Sequence, residues 1–259
     1  MKVCVIKTSS MGDVIHTLPA LTDAQRAIPN LSIDWVVEES FAEIPRWHSA
    51  VNQIIPIALR RWRKSPFSVQ TKNEWKSYRT LLQANQYDAV IDAQGLFKSA
   101  FFATRLANGV KHGYDRKSIR EPIASFFYDK KYDISYQQHA VERIRQLFAQ
   151  ALSYPLSKEK GDYGIARHFI SADSIEPYVI FFHSTTRDEK HWPEHEWRNL
   201  IEKLTVLSVQ VRLPWGNEKE KARAERLAAG LSHVVVLPKL SLNELAEQIA
   251  NAKAVVSVD

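Results

Sequence analysis

Two periods of apolar residues alternate along the chain, and each predicts a different secondary-structure element. Short apolar runs bounded by polar residues are typical of buried strands, whereas apolar residues every three or four positions indicate amphipathic helices. In the first part of the chain, the predicted strands are 3–7, 33–39, 53–59 and 87–94. The predicted helices of this part are 13–28, 71–84, 96–107 and two stretches near 117–127 and 137–151. Strands that alternate with helices favour crossover connections and a parallel sheet.

Residues 152–175 lose this periodicity and collect Ser, Pro, Lys and Gly, which indicates a boundary between two domains. The alternation then resumes, with predicted strands at 178–183, 209–215, 233–238 and 254–259. The helices predicted among them are 194–206, 217–229 and 241–251. Because the last strand has no helix after it, we expect the second domain to be incomplete.

Composition is that of a globular protein with a full core, since 45% of the 259 residues are hydrophobic and 25% are charged. The apolar runs fall short of the roughly 18 residues that a membrane-spanning helix needs. The N-terminal apolar run is too short for the core of a signal peptide. One cysteine, Cys4, excludes an intramolecular disulfide. We therefore expect a cytoplasmic protein.

The segment KTSSMGDVIHTLPAL, residues 7–21, runs from a strand end into a helix. It lacks both the GxGxxG spacing of a dinucleotide site and the Gly-Lys-Ser/Thr of a P-loop. Asp13 stands at or near the N-terminus of the helix, where a carboxylate caps the backbone. It also stands at the carboxyl end of a parallel strand, where open α/β sheets bind ligands and a carboxylate can act as a general base. Capping and catalysis both remain open for Asp13 at this point.

Positive charge is concentrated in the segment RRWRK, residues 60–64, which follows a predicted strand. The formal net charge of +6 favours anionic partners such as nucleic acid, acidic membranes or phosphorylated substrates. Four cations within five residues favour a specific anionic ligand, although most such runs are solvated surface. Arg120 is a further candidate for the same ligand. A patch this short is weak evidence for nucleic-acid binding.

The segment HSTTRDEKHWP, residues 183–193, combines hydroxyls, a cation and the start of a helix near Pro193. Such a combination favours a phosphate or diphosphate. His183 and His191 lack a compatible set of further metal ligands, so structural roles are expected for both. In LPWGNEKE, residues 213–220, Glu220 either stabilises the first turn of a helix or accepts hydrogen bonds from a ribose.

Taken together, these segments resemble a known family. The chain is similar to the bacterial lipopolysaccharide heptosyltransferase I family, which belongs to glycosyltransferase family 9. The resemblance runs from the first residue to the last and is carried by KTSSMGDVIHTLPAL, RRWRK, DAVIDAQGLFKSA, HSTTRDEKHWP, LPWG and VVSVD.

This resemblance implies an α/β fold of two Rossmann-like domains that face each other across a cleft, the GT-B arrangement. Residues 1–165 would bind the acceptor, and residues 166–259, as a truncated second domain, would bind ADP-heptose. The implied reaction is an inverting, metal-independent transfer. It moves L-glycero-D-manno-heptose from ADP-heptose to the inner Kdo of Kdo2-lipid A in lipopolysaccharide inner-core biosynthesis.

The resemblance also implies roles for individual residues. Asp13 would be the general base, and Lys190 would stabilise the leaving diphosphate. The acceptor would be bound by Arg60, Arg61, Arg63, Lys64 and Arg120. The donor would be bound by Thr185, Thr186, Lys190, Glu220, Leu240 and Asp259. The family's Asp-Thr-Gly motif breaks off after Asp259, in keeping with the expected truncation.

The implied partners are ADP-heptose, Kdo2-lipid A and the cytoplasmic face of the inner membrane, with which the enzyme would make peripheral contact. No cofactor, metal or nucleic acid is expected, and the protein is expected to be a monomer. The alternatives are heptosyltransferase II, another GT-B sugar-nucleotide transferase, or a non-catalytic binder of anionic glycolipid.

Overall fold

Two separate parallel sheets divide the chain into two units, Met1–Ile165 and Ala166–Asp259. The computed structural model describes residues 1–170, 176–185, 187–205 and 209–258. The prediction of an α/β fold with parallel sheets is confirmed, because every strand pair in both sheets is parallel.

The sheet of the first unit has six strands in the order β3-β2-β1-β4-β5-β6. They are β1 (Lys2–Ile6), β2 (Ser32–Glu38), β3 (Val51–Ile57), β4 (Gln86–Asp92), β5 (Asn108–Tyr114) and β6 (Lys130–Tyr132). The helices of this unit are α1 (Met11–Ile15), α2 (Leu18–Ala27), α3 (Glu43–Arg46), α4 (Leu59–Trp62), α5 (Val69–Gln83), α6 (Phe97–Phe102) and α7 (Ala140–Leu152). This strand order is that of a Rossmann fold, whose ligands bind outside the carboxyl ends of the strands, where the order reverses. The reversal falls here between β1 and β4.

The centre of this unit is apolar because β1 is covered on both faces and paired along both edges. Its residues Val3–Ile6 are completely buried, as the continuous apolar run predicts for an interior parallel strand. One layer of the core includes Cys4, Ile55, Trp62, Tyr78 and Leu82. It fixes α5 and the short helix α4 against the sheet.

The second unit has a four-stranded sheet in the order β10-β7-β8-β9. Its strands are β7 (Tyr178–Phe182), β8 (Gln210–Leu213), β9 (Val234–Val236) and β10 (Ala254–Ser257). Its helices are α8 (Ala166–Phe169), α9 (Glu194–Thr205), α10 (Glu218–Ala228) and α11 (Leu242–Asn251). Trp197 of α9 is completely buried against Phe181 of β7, with ring centroids 5.0 Å apart.

Three predicted helices differ from the structure. The stretch near 117–127 is wrong as a helix, because it holds only a 3-10 segment, Pro122–Phe127, between the unpredicted strands β5 and β6. The helix predicted over 13–28 is two helices, α1 and α2, because Pro19 has no N–H to continue the backbone bonding of the first. The helix predicted over 96–107 ends at Phe102.

None of the helices in the described ranges is long and apolar enough to cross a bilayer.

Candidate active site

Asp13 lies at the carboxyl edge of the first sheet, on the short helix that follows β1. Ser10 is the N-cap of α1, and Asp13 is the third residue of the helix. The carboxylate accepts hydrogen bonds at Oδ2 from the Ser10 amide (2.9 Å) and from Ser10 Oγ (2.7 Å). It therefore satisfies an otherwise unpaired backbone donor at the helix start, as in a capping box.

The Asp13 carboxylate is ionised at neutral pH. Partial burial acts to raise its pKa, but the hydrogen bonds from Ser10 and the positive charge of Lys7 outweigh this effect and lower the pKa. Lys7 Nζ is 3.7 Å from Oδ1 and also donates to the Ala93 carbonyl at 3.0 Å. With 42% of its side chain exposed, Asp13 can still reach a ligand. Such a carboxylate accepts a proton only as the acidity of a reacting hydroxyl rises.

A polar cavity of about 170 Å³ contains Asp13. Arg120, which follows β5, lines the same cavity, so the structure brings these two predicted residues together. Arg143 also lines it and was missed at the sequence level. Its guanidinium packs over the rings of Tyr114 and Tyr136, 4.6 and 4.5 Å from their centroids. No motif marks Arg143, because it reaches the site from the distant helix α7.

The basic segment forms α4 and the turn after it, and its four cations differ in their surroundings. Arg61 makes two hydrogen bonds to the Glu39 carboxylate, both 2.9 Å, and also pairs with Glu74 at 2.8 Å. These carboxylates raise the pKa of Arg61, which stays protonated, and their negative charges balance its positive charge. Lys64 is exposed in the turn.

Arg60 and Arg63 line a different cavity from that of Asp13. This cavity has a volume of about 570 Å³ and is also lined by Lys72, Lys98 and Glu38. The basic segment and Asp13 therefore line separate cavities, although both lie after strands of one parallel sheet.

In the second unit, Lys190 lies between β7 and α9, at the end of a 3-10 turn, Asp188–Lys190. It lines a cavity of about 330 Å³ together with His191, Trp192 and Ser257. The structure thus brings Lys190 next to the end of β10. Asp259, like Thr186, lies outside the described residues.

Thr185 is positioned by the histidine that follows Lys190. The backbone N and O of Thr185 lie 3.1 and 3.0 Å from His191 Nε2, so this ring fixes the loop after β7. His183 is 1% exposed, and burial lowers its pKa to about 4, so it is neutral at physiological pH. Within the described ranges, no group of three or more His, Cys, Asp or Glu side chains is placed to hold a metal ion. Metal independence of the reaction stays a prediction.

Glu220 has the helix-stabilising contacts that the sequence left open. Its carboxylate accepts from the Gly216 amide and from Asn217 Nδ2, both at 2.7 Å, at the start of α10. Ribose binding by Glu220 stays a prediction. Trp215, not singled out in the sequence, lies beside it and donates from Nε1 to the Leu237 carbonyl at 2.6 Å.

Leu240 directly precedes Ser241, the N-cap of α11, and is half-buried. It follows β9 at the carboxyl edge of the second sheet, where ligands of such sheets bind. The predicted contact of Leu240 with adenine stays a prediction.

Comparison with known proteins identifies close relatives. The family model of glycosyltransferase family 9 (heptosyltransferase) matches residues 75–259. Lipopolysaccharide heptosyltransferase 1 of Salmonella typhimurium (strain LT2) is 57% identical over 261 residues, covering all of this chain and 82% of the relative. Lipopolysaccharide heptosyltransferase 1 of Escherichia coli (strain K12) is 58% identical over 262 residues, with the same coverage.

Solved structures that are similar to this chain include heptosyltransferases as well. E. coli heptosyltransferase WaaC with ADP matches with a TM-score of 0.96 and 58% identity, over 99% of this chain and 81% of that one. WaaC with ADP-2-deoxy-2-fluoro heptose matches with a TM-score of 0.97 and 57% identity, over 100% and 83%. E. coli ADP-heptose lps heptosyltransferase II has a TM-score of 0.72 at 20% identity, over 99% and 78%, and supports the fold alone.

Proposed function

The chain belongs to glycosyltransferase family 9, the heptosyltransferases, and from this premise we propose its substrates and the roles of its site residues. It is a glycosyltransferase of lipopolysaccharide core biosynthesis with the GT-B type of fold. Its donor is ADP-L-glycero-D-manno-heptose, and its acceptor is the inner Kdo of Kdo2-lipid A. The observation that carries the proposal is 57% identity to a heptosyltransferase 1 over the whole chain. The complex of WaaC with an ADP-heptose analogue supports the choice of donor.

The proposed reaction is a direct displacement at the anomeric carbon of the heptose. The acceptor hydroxyl gives its proton to the Asp13 carboxylate as its oxygen forms a bond to the anomeric carbon. The bond from that carbon to the diphosphate oxygen breaks, and ADP leaves with its additional negative charge. Attack from the side opposite the leaving group inverts the configuration. Such general base assistance contributes about 10²–10⁴-fold in rate.

The second unit binds the leaving ADP in this proposal. The Lys190 ammonium and the hydroxyl and backbone groups of Thr185 and Thr186 hold the diphosphate, which needs positive charge as it departs. Glu220 accepts hydrogen bonds from the ribose, backbone groups at Leu240 contact the adenine, and Asp259 contacts the heptose and the diphosphate. The ammonium of Lys190 supplies charge that a divalent metal supplies in other transferases, so the reaction proceeds without added metal.

The first unit binds the anionic acceptor. Arg120, which lines the Asp13 cavity, meets the carboxylate of the acceptor Kdo, and Arg60 and Arg63 meet anionic groups farther from the reacting hydroxyl. Arg61 and Lys64 are also proposed to contact the acceptor, although the two ion pairs of Arg61 favour a smaller role for it. The enzyme acts as a monomer in peripheral contact with the cytoplasmic face of the inner membrane, where anionic lipids attract exposed Lys and Arg.

A transfer assay tests the reaction directly. Purified protein is mixed with ADP-heptose and Kdo2-lipid A, with and without EDTA, and ADP release and the mass of the glycolipid product are followed. We expect one heptose to be added at equal rates in both samples, and no glycolipid product in a control in which ADP replaces ADP-heptose.

Two outcomes would change the assignment. Transfer only to an acceptor that already carries a heptose would assign the chain to the heptosyltransferase II reaction. Loss of turnover in EDTA, restored by Mg²⁺, would contradict metal independence.

A further inference from the structure

Two residues of the second unit that are proposed to bind the donor, Lys190 and Glu220, lie on segments that follow different strands. Lys190 belongs to the loop between β7 and α9, residues 187–193, here called the Lys190 loop. Glu220 lies in the first turn of α10, which follows β8. A ligand that contacts both segments binds well only if the protein holds them at a fixed distance from each other.

Arg223 connects these two segments. It lies on α10, about one turn after Glu220. Its Nη2 donates a hydrogen bond of 2.6 Å to the carbonyl oxygen of Trp192, which is two residues after Lys190. Its Nη1 is 3.5 Å from Oε1 of Glu194, the first residue of α9. One side chain of α10 therefore contacts both the Lys190 loop and the helix that follows this loop.

The Arg223 side chain is mostly buried, with 13% of it exposed. Its positive charge also reaches the carboxyl end of β7, where it adds to the effect of burial in lowering the pKa of His183. A guanidinium that is already fixed by its surroundings loses little freedom when it makes its bonds, and a charged donor makes a stronger hydrogen bond than a neutral one. The contact with Trp192 is therefore suited to fixing the Lys190 loop.

We propose that Arg223 is a positioning residue for the donor, because it holds the Lys190 loop at a fixed distance from the helix that carries Glu220. This inference rests on the proposed function, in which Lys190 binds the diphosphate and Glu220 binds the ribose. Without the bond to Trp192 the loop gains freedom, which a nucleoside diphosphate must remove when it binds. The cost falls on ADP and on ADP-heptose alike, since both carry the ribose and the diphosphate.

The matched control is another arginine of the same helix. Arg226 makes two hydrogen bonds to the Glu194 carboxylate, 3.1 Å from Nε and 2.7 Å from Nη2, and its side chain is 58% exposed. It shares the helix and the partner carboxylate of Arg223, and its removal leaves the bond between Arg223 and Trp192 in place. If Arg223 only joined α10 to α9, Arg226→Ala would have the same effect as its removal.

The test measures ADP binding by calorimetry and transfer kinetics for Arg223→Met, which keeps an apolar stem in the same space but loses the donors. We expect the dissociation constant of ADP and the donor KM each to rise about tenfold. For Arg226→Ala both should change less than about twofold, because exposed ion pairs contribute little. Arg223→Lys should bind ADP more tightly than Arg223→Met, because an ammonium can still donate to the Trp192 carbonyl.

Two further measurements separate positioning from a general loss of structure. In Arg223→Met the acceptor KM should stay at its wild-type value, and kcat at saturating donor should change little, because the bound donor itself orders the Lys190 loop. Adenosine lacks the diphosphate and so contacts only the side of Glu220. Its inhibition constant in the transfer assay should therefore change less than about twofold in Arg223→Met, since the freedom of the Lys190 loop does not affect it.

Three results would overturn the proposal: an unchanged dissociation constant of ADP in Arg223→Met, an equal loss of affinity for ADP and adenosine, or a loss that Arg226→Ala reproduces. The last two would indicate a general disturbance of α10. A wild-type protein that neither binds ADP nor transfers heptose contradicts the proposed function. Wild-type affinity for ADP in Arg223→Met, beside normal transfer by the wild type, contradicts the positioning role alone.

Discussion

Asp13 caps a helix, and we propose that it is also the general base. Replacing one of its carboxylate oxygens by an amide nitrogen separates the two roles. Its Oδ2 accepts from the Ser10 amide and hydroxyl, and this contact holds the first turn of α1. Asparagine keeps an oxygen that can accept these bonds, but its amide cannot take a proton from an acceptor hydroxyl. Alanine removes both functions.

We expect Asp13→Asn and Asp13→Ala each to lower kcat by more than about 100-fold, because both lose the general base. Affinity for ADP, measured by calorimetry, should change little, because ADP binds the other unit. Asp13→Ala should lose about 0.5–1 kcal/mol more stability than Asp13→Asn in thermal unfolding, because it alone loses the cap, whereas both variants lose the negative charge beside Lys7. A fully active Asp13→Asn enzyme would restrict Asp13 to capping.

Arg61 shows what the sequence cannot reveal about a single residue. The segment RRWRK predicts four available cations, but Glu39 and Glu74 lie far enough along the chain that no local spacing pairs them with Arg61. The pairing depends on α4 packing beside α5, which is a tertiary contact. The location of positive charge was predictable, whereas its neutralisation was not.

At the scale of elements, the loop between β1 and α1 depends on the loop after β4. Gln94 Oε1 accepts from the amides of Thr8 and Ser9, at 2.9 and 3.0 Å. The backbone N–H of Gln94 in turn donates to Oδ1 of the completely buried Asp92, at 2.9 Å. The position of the Asp13 helix is therefore set from the neighbouring strand, across the point where the strand order reverses.

We expect Gln94→Ala to lower kcat about 10–100-fold, because small displacements of a catalytic group reduce rates by such factors. The donor KM should not change. Gln94→Glu keeps the accepted hydrogen bonds and should retain more activity. Its added carboxylate near Asp13 should raise the pKa of Asp13 and move the acid limb of the kcat profile to higher pH. Wild-type kinetics for Gln94→Ala would show that the loop is fixed without this residue.

Most strands could be predicted from continuous apolar runs, but β5 and β6 could not. Strand β5, NGVKHGY, alternates weakly and contains two glycines, which disfavour strands when only local sequence is considered. Gly113 is required there because the ring of Tyr128 lies where a side chain would begin. The contact joins β5 to a residue after the 3-10 segment, so the reason for the glycine lies outside its own neighbourhood.

At the scale of the whole molecule, each unit contains a buried histidine that is neutral in the fold. His48 is 2% exposed, accepts at Nδ1 from the Ala50 amide (3.1 Å) and donates from Nε2 to Thr22 Oγ1 (2.9 Å). Burial lowers the pKa of His48 and of His183 to about 4. Protonation of His48 at Nδ1 would break its hydrogen bond with Ala50.

We expect both units to lose stability as the pH falls from about 6.5 to about 4. Over this range the unfolded chain gains protons on these histidines and the folded chain does not, so acid favours unfolding. The loss is at most roughly 3 kcal/mol per histidine. Denaturant unfolding at several pH values should show a flatter dependence for His48→Gln and for His183→Gln.

The control is His195→Gln, which removes the imidazole of a side chain that is 73% exposed instead of a buried one. NMR titration of the imidazole protons gives the two pKa values in the folded protein directly. Values near 6.5 for His48 and His183 would contradict the prediction.

The candidate sites were predictable where a motif follows a strand, as for Asp13 and Lys190, because parallel sheets bind ligands at that edge. Arg143, Gln94, Lys72 and Lys98 carry no motif and reach their cavities from distant elements. Their positions depend on how helices pack on the sheet, which the periodicity of the sequence does not determine.

The hydrogen bonds that join α4 to α5 through Glu74 have a kinetic consequence. Trp62 and Arg61 both bond to this one carboxylate, so the two helices that line the 570 Å³ cavity of Arg60 and Arg63 are connected in the protein alone. A preformed site needs no slow rearrangement, and encounter with an anionic partner then limits binding. If the proposed anionic acceptor binds at this cavity, its association should therefore slow as ionic strength rises.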